Sequence, residues 1–180
     1  MSKLLISEER KRQILKQADY LDNIVGDGIV DIVKLATQLG FHVYNLKDKI
    51  KYYGLIAVDT SDKKLLKDAD TSKIIGFNPS LNSTRNRRAI AVELGHYFLH
   101  FDKYRKKDRF QYIYKENRKL KKTEEYEAEV FADNLLVPKR KLKVFLKQYP
   151  TGMESSMLAI DEAARHFDVS INCIERILNQ

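Results

Sequence analysis

Glu93 and His96 stand three residues apart in the segment Ala89-Ile90-Ala91-Val92-Glu93-Leu94-Gly95-His96-Tyr97-Phe98-Leu99-His100. On a helix, an H-E-x-x-H motif sets two imidazoles four residues apart on one face, where both reach one zinc at about 2.0–2.1 Å. A catalytic zinc takes three protein ligands and leaves its fourth position to water. The glutamate beside the first histidine accepts the proton of that water and passes it to the leaving amine of a peptide. Here the glutamate and the second histidine are in place, but the first histidine position holds Val92, which has no donor atom. By itself V-E-x-x-H is a common pattern of amphipathic helices. His96 and His100 are also four apart, so a histidine pair shifted one turn along the helix is a second way to hold a metal. The alternative for His100 is a hydrogen bond to nearby backbone or to a carboxylate.

These residues need helices and a sheet to hold them. Ser7 can N-cap a helix over residues 8–25, with Glu8 and Glu9 in the first turn and Ile14, Ala18, Leu21 and Val25 at helical spacing. After Gly26-Asp27-Gly28, residues 29–39 form a second helix ending at Gly40. Residues 41–46, 52–60 and 73–78 are expected as strands, rich in branched and aromatic side chains. Asn78-Pro79 stops the third, and Ser83 or Thr84 caps the helix that carries Glu93, to about His100. The segment 110–114 reads as a short strand or a turn of helix. Thr123 caps a helix over 124–136, with Glu124 and Glu125 in its first turn, and Pro138 leads into a basic amphipathic helix over 139–148. A closing helix pair follows from Met157, with Ser170 as the second N-cap.

Two blocks of the sequence agree with one known family. Asn78-Pro79 precedes Ala91-Val92-Glu93-Leu94-Gly95-His96-Tyr97-Phe98-Leu99-His100. Downstream comes Glu127-Ala128-Glu129-Val130-Phe131-Ala132-Asp133-Asn134-Leu135-Leu136-Val137-Pro138, and Phe167-Asp168-Val169-Ser170 makes a turn in the closing pair. This resembles the ImmA/IrrE family of metallo-endopeptidases, whose members show A-H-E-L-G-H-x-L-L-H followed by E-A-x-x-F-A-x-x-L-L-x-P. The resemblance covers about residues 30–180. It implies a zincin-like α+β fold, with a small three-stranded antiparallel or mixed sheet packed on helices and a C-terminal helical pair. It implies one domain over 1–180: an N-terminal helix in 1–28, a core in 29–150 and the closing pair in 151–180. It assigns Glu93 as general base, His96 as second zinc ligand and Glu127 as third, and it places the missing first ligand on Val92.

Losing one of three ligands should cost a zinc site several kcal/mol. A zinc site that is weakened or absent is therefore expected. A hydrophobic replacement at 92 suits a site that has gone dry, and Glu93 and Glu127 can then pair with His96 or with basic residues. The family acts on helix-turn-helix repressors, often of mobile elements or stress responses. The resemblance thus implies a cytoplasmic regulatory protein that engages a repressor-type partner with weak or no proteolysis. An active zinc endopeptidase with a rearranged site (His96, Glu127, with His100 as a further ligand) is the first alternative.

A second alternative comes from the charge. The chain carries a formal net charge of +8, and residues 101–122 hold ten Lys or Arg against three Asp or Glu, a balance of +7. Lys103, Arg105, Lys106, Lys107, Arg109, Lys119, Lys121 and Lys122 would make a surface for an acidic partner, a repressor-type protein or, less favoured, a nucleic acid. The terminal helix pair could be a DNA reader, but its second helix has only Arg176, so packing on the core is the better expectation. Tyr97, Phe98, Tyr112 and Tyr114 are expected in the core or lining a groove. Cys173 is the single cysteine, which excludes an internal disulfide and a cysteine zinc site and fits a reducing cytosol. No apolar run reaches the roughly 20 residues of a membrane span, and the start offers only Leu4-Leu5-Ile6, so no signal peptide is expected.

Overall fold

The computed structural model describes residues 6–46, 54–58, 71–105, 112–113 and 122–180, with 102–105 and 112–113 as backbone alone. The first helix, α1 (Glu8–Val25), starts at Ser7, whose hydroxyl accepts the Arg10 N–H at 3.1 Å, and it stops at Gly26, where φ is +83°. Its buried stripe is Ile14, Ala18 and Leu21, the spacing expected of a helix with one face in a core. Helix α2 (Ile32–Gln38) begins later than its apolar pattern suggests. Asp31 accepts the Lys34 N–H at 3.0 Å and so sets the cap, leaving Ile29 and Val30 in the approach.

The three expected strands form as β1 (His42–Asn45), β2 (Gly54–Val58) and β3 (Ile74–Phe77), and β4 (Tyr112–Ile113) adds a fourth within the segment read as strand or helix. The sheet is mixed, in the order β1-β3-β2-β4: β1 runs parallel to β3, while β2 is antiparallel to both β3 and β4. Every residue of β2 is buried. Ile56 and Val58 join Ile75 in the main core, and Leu55 and Ala57 join Leu46 and Ile74 in a smaller cluster on the opposite face. A strand covered on both faces needs a continuous apolar run, which is what Leu55-Ile56-Ala57-Val58 supplies.

Helix α3 (Ser83–Arg105) packs on the sheet and on α4 (Lys122–Leu136). Its cap is Asn82, whose side chain accepts the Arg85 N–H at 2.9 Å, not Ser83 or Thr84. The Thr84 hydroxyl donates instead to Asp168 at 2.8 Å, a long-range contact. The helix also runs past His100 to Arg105. Helix α4 begins at Lys122, so Thr123 lies within it, with Glu124 and Glu125 in the first turn.

Helices α5 (Lys139–Leu146), α6 (Met157–Phe167) and α7 (Ile171–Leu178) close the chain. Ser170 takes the cap position of α7 in extended backbone but makes no side-chain cap bond. Helix α7 buries Cys173, Ile174 and Ile177, and its Arg176 donates to Asp133 of α4 at 2.6 and 3.0 Å, so the pair packs on the core. At the turn between α6 and α7, Asp168 has φ +50° and accepts from Arg87 at 2.7 Å. Burial works against its charge, but the bonds from Arg87 and Thr84 outweigh it and hold the carboxyl below its ordinary value of 3.8. A depressed acid adds stability above its unfolded pKa and loses it as pH falls through the folded one. Asp168→Asn should therefore lower the melting temperature at neutral pH, with the gap to the parent closing in acid below the ordinary carboxylate range. A gap that persists there would assign the loss to something other than this charge. Among the described residues no helix is long and apolar enough to cross a membrane.

Candidate functional site

The site lies where α3 crosses α4, and Gly95 makes that crossing close. A Cβ on Gly95 would sit 3.0 Å from the Ala128 carbonyl oxygen, 3.0 Å from Phe131 Cδ1 and 3.1 Å from Ala128 Cα. Helix α3 can approach α4 this nearly only because position 95 has no side chain. The next residue on α3, His96, and the residue before Ala128 on α4, Glu127, are thereby drawn to one place. Glu93, His96, His100 and Glu127 are all buried. Val92 is half-buried against the main core.

The polar groups bond to one another. His100 Nε2 lies 3.0 Å from Glu127 Oε2, and His100 Nδ1 lies 3.1 Å from His96 Nδ1. His96 Nε2 faces Glu125 Oε1 at 3.5 Å. The same Glu127 oxygen accepts from Arg10 Nη2 of α1 at 2.6 Å, a charge-assisted bond. Burial raises the Glu127 carboxyl, but the bonds from Arg10 and His100 more than offset it and hold it below its ordinary value. Burial lowers His100, against the pull of Glu127, and so favours the neutral ring. An ionised carboxylate only accepts, so His100 carries its proton on Nε2. Its bare Nδ1 then accepts from His96 Nδ1–H, a tautomer pair assigned from the bonding geometry.

Glu93 stands apart from this chain of bonds. Its Oε2 makes no hydrogen bond among the described residues. Burial, reinforced by the nearby Glu125, raises its carboxyl well above the ordinary value. The β2 backbone closes over it: a Cβ on Gly54 would come 2.9 Å from Glu93 Oε1. Such an environment favours the protonated carboxyl, which is a poor general base at neutral pH.

As arranged, these residues do not fit the zinc that the resemblance implies. Zinc–oxygen bonds are about 2.0–2.2 Å long and need a free lone pair on the carboxylate. Glu127 turns its Oε2 to Arg10 and His100, and the carboxylate that faces His96 Nε2 is that of Glu125, at 3.5 Å, with Val92 where a further ligand would stand. His96 and His100 point their Nδ1 atoms at each other. Among the described residues, no group of three His, Cys, Asp or Glu side chains is placed to hold a metal ion.

The structure thus brings together Glu93, His96, His100 and Glu127 of the residues singled out from the sequence, and it adds Arg10 and Glu125. Of the basic residues, Lys122 is exposed at the start of α4. Lys106, Lys107, Arg109, Lys119 and Lys121 lie outside the described residues, as does Tyr114, and Lys103 and Arg105 are described as helix backbone alone. Tyr97 packs edge-on against Phe41 at 5.0 Å, and Phe98 stacks on Phe131 at 6.1 Å, so both serve the core. Glu125 had a local signal, since it shares the first turn of α4 with the expected ligand two residues on. Arg10 had none.

A solved Mycobacterium tuberculosis transcriptional regulator is similar in fold, with a TM-score of 0.54 at 17% identity over 92% of this chain and 47% of the regulator's. This chain therefore spans about half of that regulator's length. No curated protein matches the chain. The family model for the IrrE N-terminal-like domain, peptidase M78, matches residues 36–179 and so takes in α3, α4 and the closing pair. The chain belongs to the ImmA/IrrE family.

Proposed function

We propose that this chain is a peptidase-like regulatory protein that engages a helix-turn-helix repressor-type partner in the cytoplasm, with weak or no proteolysis. Family membership supports the regulatory peptidase class, and the structural neighbour is itself a transcriptional regulator. One observation carries the loss of proteolysis: the first ligand position holds Val92, which has no donor atom and packs against the main core beside Glu93 and His96. Binding of a partner needs the surface around the α3–α4 crossing and not the metal, so it can outlast the chemistry.

The parent protein, dialysed against micromolar zinc, should keep far less than one equivalent, and His96→Ala should leave that amount unchanged. Mixed with a repressor of this type, it should form a complex and release no fragments. One equivalent of zinc that is lost in both His96→Ala and Glu127→Ala would overturn this reading. It would favour the endopeptidase with a site rearranged onto His96, Glu127 and His100.

A further inference from the structure

Helix α5 has a paired side and a bare side. On the first, Lys141 donates to Asp22 of α1, and Arg140 lies 3.5 Å from Asp27 and 3.9 Å from Asp22. On the other run Lys139, Lys143 and Lys147, each four residues after the last, with Lys147 still in helical backbone at the C-cap. Four residues of helix rise about 6 Å, so the row is about 12 Å long. Lys143 and Lys147 are exposed and Lys139 is half-buried. The fold gives no reason for such a row. The negative end of the helix dipole favours Lys143 and Lys147, but Lys139 is the first residue of α5, where the dipole disfavours a cation. Burial, with Lys11 of α1 and Lys143 nearby, pulls the Lys139 ammonium below the usual lysine value. Lys11 is itself held by the Gln180 carbonyl, which accepts from its Nζ at 2.9 Å. No Asp or Glu side chain among the described residues pairs with Lys11, Lys139, Lys143 or Lys147.

That charge is left for an anion from outside. We propose that the Lys139, Lys143 and Lys147 row of α5, with Lys11 beside it, grips the sugar-phosphate backbone of duplex DNA without reading its sequence. The make-up of the face selects this partner. Protein interfaces are depleted of lysine and built on apolar or aromatic anchors, whereas Val144 is the one exposed apolar residue of α5. A helix lying on a membrane needs an apolar face to bury in lipid, and that of α5, Leu142 and Leu146, is already buried in the core. Unpaired strands are held by stacking on aromatic rings, but Phe145 is turned to His166 and Phe167, at 4.6 and 6.0 Å between ring centres. A lysine is a point charge that holds a phosphate and does not fork onto a base edge as arginine does. One strand carries a phosphate about every 3.4 Å of helix axis, so the row spans roughly three or four of them. The inference goes beyond the peptidase-like reading and does not depend on it. A backbone grip would gather the protein on DNA, where repressors sit.

The full chain should bind a short fluorescein-labelled DNA duplex of mixed sequence, followed by anisotropy, with an affinity that falls as salt rises. Lys143→Gln with Lys147→Gln should lower the slope of log affinity against log salt by about two. Across about 50 to 200 mM salt that variant then loses roughly tenfold less affinity than the parent. The same loss of charge in Lys34→Gln with Arg85→Gln, two exposed cations of α2 and α3 outside the row, should change the slope far less. Lys139→Gln should weaken binding yet raise the melting temperature by roughly one to three degrees, since it removes a cation that the fold disfavours. A lower melting temperature would mean that the fold itself uses Lys139, and would overturn the proposal. So would no binding by the parent at low salt, an unchanged slope in the Lys143→Gln and Lys147→Gln variant, or an equal change in the Lys34→Gln and Arg85→Gln control. Tighter binding to polyglutamate than to the duplex would give the row to an acidic protein instead, and would overturn it too.

Discussion

Gly95→Val is expected to destabilise the protein by about 3 kcal/mol, the upper end of what overpacking costs. Two of the three atoms that a Cβ at 95 would meet belong to the α4 backbone, at 3.0 and 3.1 Å, and backbone cannot rotate aside as a side chain can. The branched side chain would push α3 off α4 and part His100 from Glu127, now 3.0 Å apart. Gly95→Ala is the graded control. It gains helix propensity of up to about 1 kcal/mol but meets the same contacts, so it should fall well short of that gain. Urea unfolding checks both, through a lower midpoint at unchanged slope. A Gly95→Val protein as stable as the parent would mean that the crossing is looser than these distances say.

Asp133→Ala should cost a similar amount, about 3 kcal/mol, the low end of the range for breaking a buried ion pair. Asp133 is 1% exposed and accepts from Arg88 Nε at 3.2 Å, from Arg176 Nε at 2.6 Å and from Arg176 Nη2 at 3.0 Å. One carboxylate therefore ties α3, α4 and α7 together. The low end applies because both arginines are partly exposed and can turn to water once their partner is gone. Asp133→Asn keeps the shape and should lose less. Arg176→Met should also lose less, since Arg88 still neutralises the carboxylate. The ordering of these three midpoints is the check: Arg176→Met as damaging as Asp133→Ala would place the energy in one pair and not in the three-helix tie.

The elements themselves were legible because each carries its own period. The stripe of Ile14, Ala18 and Leu21 and the apolar run of β2 both follow from local pattern. What failed to show was set at a distance. The cap of α3 moved to Asn82, with the Thr84 hydroxyl bonded to Asp168 far along the chain. The parallel pairing of β1 with β3 leaves no mark on either strand, since four residues read the same in both directions. At the site, His96, His100, Glu93 and Glu127 were legible from spacing and resemblance, and a carboxylate partner for His100 was one of the alternatives held open. Arg10 was not, because in sequence it is one of several cations on an exposed-looking first turn. Only the angle at which α1 crosses α4 brings it to Glu127.

Helix α1 is held at its far end as well. Lys141 of α5 donates to Asp22, to the Gly26 carbonyl at 2.6 Å and to the Gly28 carbonyl at 2.9 Å. A helix that precedes the match to the family model is thus fastened at both tips and along its apolar stripe to the part that the model matches. A fragment trimmed to residues 36–179 would keep every residue of the VELGH and EAEVFA motifs, yet it would bare the α4 surface that Ile14, Ala18 and Leu21 cover and leave Glu127 without its counter-charge.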